Sequence, residues 1–377
     1  MSDRKRKHVT SRITAVGQGL VYRNLQPHLR SIVAYHPSLV LLSENELLAT
    51  FDLGEAVESL DYHTVLARSK DGGQTWQLEG KILQDPPPRS SHIIRTSRLA
   101  DGSLVGLGAL FHRDNPEMGL LNRQTSGFVP TDLFLVRSGD GGRSWTAPQT
   151  IVPPLTGPCW EVCHPVVELR DRRWIAPVGT WRGWQGENPS GEQTVALLSD
   201  DQGNSWSKFG RIFDGRQSGR SHLEVSAVEL KDGSILAVSW VHDLTNNKSF
   251  PTEYSLSESR GEHFSVPMLT GFRAQTCKLI QLRNGLLFAA FRDSERPGLW
   301  GTVARLDGKQ WITLNEVSLW QGAATGMQGG CNSAQELSAL KFGSPSIKQI
   351  SPGEVLLLFW CQEDCVTGIR WIRIQIE

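Results

Sequence analysis

The 377-residue sequence contains no apolar run long enough to cross a bilayer as a helix. Its basic opening, Arg4-Lys5-Arg6-Lys7, is not followed by the uninterrupted apolar core of a secretory signal. No membrane partner is expected, and the chain reads as soluble and cytoplasmic, with a solvated basic tail over residues 1–10. Surplus charge is missing too. With 39 basic residues against 39 acidic ones, no global field gathers nucleic acid. Cysteine is sparse: Cys159, Cys163, Cys277, Cys331, Cys361 and Cys365 are the whole complement, too few for a disulfide framework in a chain of this length. Neither Cys159-x-x-x-Cys163 with His164 nor Cys361-x-x-x-Cys365 has the short spacing of a zinc knuckle. A nucleotide-binding glycine motif, a phosphate loop and a nucleophile elbow are absent, so no cofactor is expected. Helical 3.6-residue periodicity is largely absent as well, which turns attention to strands.

What is present is a repeat. SKDGGQTW (Ser69–Trp76), SGDGGRSW (Ser138–Trp145) and SDDQGNSW (Ser199–Trp206) share one pattern, with a degenerate copy in SESRGEHF (Ser257–Phe264) and a relic in LDGKQW ending at Trp311. The closing aromatics at 76, 145, 206, 264 and 311 are 69, 61, 58 and 47 residues apart, the spacing of a repeat architecture. Each of the three full copies has the chemistry of a hairpin turn: an Asp (Asp71, Asp140, Asp201) to accept backbone N–H groups, a Gly for positive φ, and a Trp to cover the adjacent sheet. The boxes therefore read as structural turns that hold the repeats together.

Between the boxes a second signature recurs, an apolar run, a tight polar turn and another apolar run. The six turns are Glu44-Asn45, Asp101-Gly102, Asp171-Arg172, Asp232-Gly233, Asn284-Gly285 and Pro352-Gly353, and each is followed by a strand such as LLATF, ILAVSW or VLLLFW. The last unit is one strand short, and the strand-like segment from Arg12 to Arg23 can supply it. This predicts an all-β, six-bladed propeller of four-stranded antiparallel blades over residues 11–377, closed by the N-terminal strand pairing in the last blade. The blades are expected near 32–80, 89–150, 160–212, 220–268, 272–315 and 341–377 plus 11–24.

The S-x-D-x-G-x-x-W pattern resembles the Asp-box, or BNR repeat, and six blades carrying it resemble the sialidase-like propellers. The resemblance implies that the boxes lie on the face away from the active site and that substrate binds where the inner strands begin. Where a sialidase opens its first inner strand with a carboxylate-binding arginine, this chain has Tyr35-His36-Pro37. Where the family presents its tyrosine nucleophile, the matching stretch is Gly343-Ser344-Pro345-Ser346. Both departures argue against a true sialidase. Of the family's acid/base pattern, the resemblance leaves Asp52 or Asp61 as acid and matches Glu224 to the glutamate that polarises the tyrosine.

Counting back from the turns places Tyr35, His36, His92, Arg95, Glu161, His164, His222, Glu224 and Gln275 at the starts of inner strands. Loops leaving the second strands add Asp52, Trp181, Arg182, Arg292 and Asp293, with Trp184 and Trp300 beside such loops. Polar and ionisable groups converging from five blades point to a ligand, because packing alone does not need them there. Three readings follow. A glycoside hydrolase acting on an acidic or modified sugar would pair Glu161 with Glu224, keep Asp52 or Asp61 as alternate acid, and clamp the sugar with Arg95, Arg182 and Arg292. A lyase or metal-assisted enzyme would use His36, His92, His164 and His222, although these stand 8, 9, 7 and 10 residues before their turns and not at one repeated distance. A non-catalytic propeller would bind a glycan or protein in the same mouth. Two insertions, 113–130 and 315–342, are lids, dimer contacts or solvated loops.

Overall fold

The computed structural model describes residues 11–322 and 341–377, apart from positions 85, 244 and 247. Arg4 to Lys7, Cys331 and most of the 315–342 insertion lie outside the described residues. No helix occurs among those described. Six antiparallel sheets follow one another around an axis, each running from an inner to an outer strand. Blade one comprises Val33–Leu41, Leu47–Gly54, His63–Ser69 and Gln77–Lys81; blade two comprises Ser90–Arg98, Leu104–His112, Thr131–Ser138 and Gln149–Ile151. Blade three has a broken inner strand, Cys159–Glu161 and Val167–Glu168, then Trp174–Trp181, Gln193–Ser199 and Lys208–Asp214. Blade four is Arg220–Glu229, Ile235–Asp243, Lys248–Ser257 and Met268–Leu269; blade five is Ala274–Gln281, Leu287–Asp293, Leu299–Asp307 and Gln310–Trp320. The sixth blade joins the termini. Phe342–Ser351, Glu354–Glu363 and Val366–Ile376 are completed by Ile13–Arg23, paired from Ile13 with Ile376 to Arg23 with Gly368. Ring closure leaves no blade at the end of an open array.

The second strand of each blade is sandwiched between the neighbouring blades, so it reads as a continuous apolar run and not as an alternating one. Leu47–Gly54, Trp174–Trp181 and Leu287–Asp293 are buried at every position. Packing follows the same logic, with each apolar cluster straddling two blades. Leu47 and Phe51 of blade one meet Leu356, Leu358 and Trp360 of blade six, and Leu107 and Leu135 of blade two meet Trp174, Val195 and Trp206 of blade three.

Each box folds as a side-chain-knotted turn. Ser69, Ser138 and Ser199 each accept the N–H of the box glycine at 2.8 Å through their hydroxyl, and each box tryptophan donates its indole N–H to the carbonyl of that same glycine. Asp140 and Asp201 accept from the hydroxyls of Ser144 and Ser205 and from the backbone, contacts that hold both carboxyls well below the usual range. In the degenerate copy Ser259 takes the place of the aspartate and accepts the N–H of His263 at 2.8 Å.

The turns also staple blades together. Arg373, Arg68, Arg137 and Arg173, each from the preceding blade, donate to the carbonyls of Gly72, Gly141, Gln202 and Arg260 in successive boxes. A Cβ on Gly73 or Gly142 would come within 2.7 Å of Leu356 or Leu48 of the neighbouring blade, and both glycines have positive φ. Ser199→Ala would leave the buried N–H of Gly203 without its acceptor, and a loss of about 1–3 kcal/mol is expected. A lowered thermal midpoint with ligand binding at the opposite face unchanged is the expected result; an unaltered midpoint would deny the hydroxyl this role.

Candidate functional site

At the end of the propeller opposite the boxes, the inner strands open into a recess. Its floor has a common construction. Counting eight residues back from the first residue of each inner turn gives His36, Ile93, Cys163, Glu224, Thr276 and Ser344. All but Thr276 line the recess. In four blades the pairing slips at this point by a bulge. At each slip the eighth residue has positive φ: 49° at His36, 50° at Glu224, 52° at Thr276 and 46° at Ser344. A left-handed conformation costs a non-glycine residue about 1 kcal/mol and persists where the surroundings enforce it. A bulge re-aims a side chain out of the sheet, here toward the axis. It also turns the backbone N–H toward the preceding blade: Ser344 N donates to Thr276 Oγ1 at 2.8 Å and Glu224 N donates to Glu161 Oε1 at 3.1 Å.

Glu161 and Glu224 therefore sit side by side on the floor, from blades three and four. Burial, and then the charge of Glu224, push the Glu161 carboxyl up to about 8, against the opposing pull of the Glu224 N–H, Lys278 and Cys163. Burial and the neighbouring carboxylate thus both favour the protonated form of Glu161. The same burial raises the Cys163 thiol well above its ordinary value. Opposite the pair, Arg95 donates to Asp52 at 2.9 Å and to the carbonyl of His36, while Asp52 also accepts from Thr64 Oγ1 at 2.6 Å. Burial works to raise the Asp52 pKa, but Arg95, His36 and Thr64 outweigh it and hold the carboxyl below its ordinary value. His36 Nδ1 lies 3.1 Å from the Tyr62 hydroxyl and 3.5 Å from Asp52. Desolvation and Asp52 keep that hydroxyl protonated. Arg292 completes the floor, donating to Gln275 Oε1 and to the carbonyl of Phe342; burial lowers its pKa to about 10.

Above this floor the walls are largely aromatic, with Trp160, Trp181, Trp240 and Trp360 among the lining residues. Trp181 is held in place by donating to the Ser126 carbonyl and by an edge contact with Phe128. The ring of Tyr35 lies 4.3 Å from that of Trp360. The 113–130 insertion folds over this side of the mouth: Leu120 and Phe128 line the recess, and Phe128 N donates to the Arg182 carbonyl. Gly127 is pressed so closely on the Gly183 carbonyl that a side chain there would collide with it. Glu58, from the loop after the second strand of blade one, ties the insertion down by accepting from Leu121 N.

Of the residues named from sequence, Tyr35, His36, Arg95, Glu161, Trp181, Glu224 and Arg292 line the recess. Asp52 and Gln275 stand directly behind Arg95 and Arg292. The others lie elsewhere. Asp61 is on a surface loop, accepting from Ser59 and from the Glu55 N–H. Arg182 is paired with Glu192 at 2.7 Å, and Asp293 is spent on Arg296 and two loop N–H groups. The four histidines do not converge. His36 is in the mouth, His92 is fully buried near Thr64, His164 faces the axis below the floor, and His222 stacks on Phe213 and contacts Glu253. Among the described residues no three His, Cys, Asp or Glu side chains are grouped to hold a metal ion. Trp184 and Trp300 fix loops: the Trp184 carbonyl accepts from Asn122 and Thr125, and Trp300 lies under Arg296. Tyr62, Trp240 and Trp360 were missed, although the two tryptophans close the apolar runs ILAVSW and VLLLFW and so stand where second strands reach the mouth.

Several solved structures share this architecture. A protein of unknown function from Dyadobacter fermentans superposes with a TM-score of 0.73 at 19% identity, covering 97% of this chain and 99% of that one. An α-L-arabinanase from Penicillium chrysogenum, complexed with arabinobiose, gives 0.65 at 14% identity over 96% and 98%. The NanB sialidase of Streptococcus pneumoniae gives 0.65 at 14% over 95% of this chain and 70% of its own. At these identities the likeness is one of fold. No curated relative matches at the sequence level. The family profile described as BNR repeat-like domain matches residues 109–327, more than half of the chain, and with the box turns and six closed blades this places the protein in that family.

Proposed function

We propose that this protein hydrolyses a glycosidic bond at the Glu161–Glu224 pair. The observation that carries the reading is the contact across blades three and four: a bulge turns Glu224 toward the axis, and its N–H grips a Glu161 carboxyl that burial keeps protonated to about pH 8. Glycoside hydrolysis uses one carboxylic acid to protonate the leaving oxygen and one carboxylate as base or nucleophile. Glu161 takes the first role and Glu224 the second. Flat aromatic walls supply the stacking surface that a sugar face favours. Arabinobiose in the arabinanase and the sialidase activity of NanB belong to neighbours that share the fold, and they support a sugar ligand here.

An acidic sugar remains the substrate class we propose, with its carboxylate on Arg292. Arg95 and Arg182 are already paired with Asp52 and Glu192, so the anionic clamp narrows to one residue. The deciding experiment is an assay of the purified protein against acidic and neutral oligosaccharides, followed by a crystal soak with the best substrate. Release of a saturated reducing sugar, with the ring bound beside Glu161, is the expected result. An unsaturated product absorbing in the ultraviolet would move the reaction to β-elimination, for which His36 and Tyr62, in contact on the floor, are the residues to test. Binding without turnover would make the chain a glycan-binding propeller and refute the hydrolase reading.

A further inference from the structure

The axial cavity does not end at the floor of the mouth. Beyond the ring that contains His36 and Glu224, a second chamber runs toward the box face between the inner strands. It is cationic. Lys278 and Lys348 line it from blades five and six. Among the described residues neither has a carboxylate within 4 Å, and the buried Nζ of Lys278 has no hydrogen-bond partner. Glu168 is the one carboxylate lining the chamber, and its oxygens are occupied by Arg172 and by the N–H of Ala100. Arg98, near the far end, donates to the Leu41 carbonyl. His164 supplies no charge of its own: its Nδ1 is bound to the Pro165 carbonyl, and burial with the two lysines lowers its pKa to about 3.

An ammonium buried without a carboxylate or a hydrogen bond in contact is costly, so a chamber holding Lys278 in that state, with Lys348 beside it, is incomplete as a purely structural core. Hydroxyl donors stand beside the lysines. Ser226 Oγ accepts the Leu279 N–H at 3.1 Å and Ser346 Oγ accepts the Leu39 N–H at 3.0 Å, which leaves each hydroxyl hydrogen to be donated elsewhere. Two cations and two O–H donors from three blades form an array suited to an acceptor with several oxygens. A halide offers no such divergent oxygens, and the floor residues separate this chamber from a sugar in the mouth.

We propose that the lower axial chamber binds a small inorganic oxyanion, phosphate or sulfate, held between Lys278 and Lys348 and capped by the hydroxyls of Ser226 and Ser346. Lys278 also lies near enough to Glu161 to influence its protonation, so an occupied chamber connects electrostatically to the mouth. The site itself does not depend on the hydrolase reading, because its test measures stability and diffraction and not turnover.

The test titrates sodium phosphate into the purified full chain against sodium chloride at matched ionic strength. A saturable rise of about 2 °C or more in the thermal midpoint is expected, as for a ligand that binds only the folded state. Lys278→Met with Lys348→Met should abolish the rise, and Ser226→Ala should weaken it. In parallel, crystals soaked in selenate should show an anomalous peak within hydrogen-bond distance of Lys278 Nζ, a result that stands even if the double variant fails to fold. A midpoint that follows ionic strength alone, an undiminished rise in a folded double variant, or selenate confined to the outer surface would each overturn the proposal.

Discussion

Glu161→Gln is expected to lower kcat by about a hundred- to ten-thousand-fold, the range associated with losing a positioned general acid, and at the same time to stabilise the protein at alkaline pH. The second half follows from the burial that qualifies Glu161 for the first. Its carboxyl has a folded-state pKa of about 8 against an ordinary value of 4.5. A raised folded pKa contributes stability that is fully present below the unfolded value and is lost as pH rises through the folded one. Wild-type stability should therefore decline between about pH 4.5 and 8, and the neutral glutamine, which keeps an acceptor for the Glu224 N–H, should remove that decline. Activity should fall as pH rises through about 8 in the wild type. Glu224→Gln should also abolish turnover, and by removing the charge beside Glu161 it should flatten the same stretch of the stability curve. Activity within threefold of wild type for Glu161→Gln, or a midpoint lower than wild type at pH 8.5, would take Glu161 out of the acid role. A residue that costs stability while enabling turnover is the signature expected of chemistry and not of packing.

Much of the architecture was legible because propeller turns are written in short-range chemistry. Ser199, Asp201, Gly203 and Trp206 make their defining bonds within eight residues, so the turn is readable wherever those types recur in that order. The six apolar runs paired across tight polar turns, the missing fourth strand of the last blade and the segment from Ile13 to Arg23 then left one way to close the ring. The floor was also within reach. Measuring the histidines from their turns gives four different distances, whereas holding the distance at eight selects, in every blade but the second, the residues where the inner strand bulges or breaks. Only His36 among the histidines stands on it. The break in blade three shows why neighbours diverge: Cys163 lines the mouth and the lower chamber, while His164 faces the chamber alone.

What stayed illegible depends on contacts between distant segments. The 113–130 insertion reads equally as a lid, a dimer contact or a solvated loop, and its place over the mouth is set by Gly127 against Gly183 and by Glu58 on the other side. Tyr62 lies in a connection with no periodic pattern, and its contact with His36 exists only once blade one has folded. Arginines pose the same difficulty. Arg95, Arg182 and Arg292 look equivalent as sequence, yet one is neutralised by Asp52, one by Glu192, and only Arg292 meets the mouth without a carboxylate bonded to it.

Asp52→Ala is expected to destabilise the protein by about 3–5 kcal/mol, the cost of leaving a buried cation without its partner. Asp52 is fully buried, and Arg95 reaches it at 2.9 Å with 5% of its side chain exposed. The pair joins blades one and two directly beneath the mouth, so its loss removes an inter-blade link as well as exposing the Arg95 charge to an apolar surround. Arg95→Met should also destabilise. The double variant should recover part of the loss, because neither charge is then stranded, and the difference from the sum of the single effects measures the coupling. The pH dependence has the opposite sign to that of Glu161. A depressed folded pKa contributes stability that is present above the ordinary value of 3.8 and is lost as pH falls through the folded value. Wild type should therefore show an acid-induced loss of midpoint below about pH 4 that is smaller in the Asp52→Ala protein, which keeps only the share due to the box aspartates. Strictly additive single effects, or an acid limb unchanged in the variant, would show that Asp52 and Arg95 act independently and that the floor of the mouth is held by the blades alone.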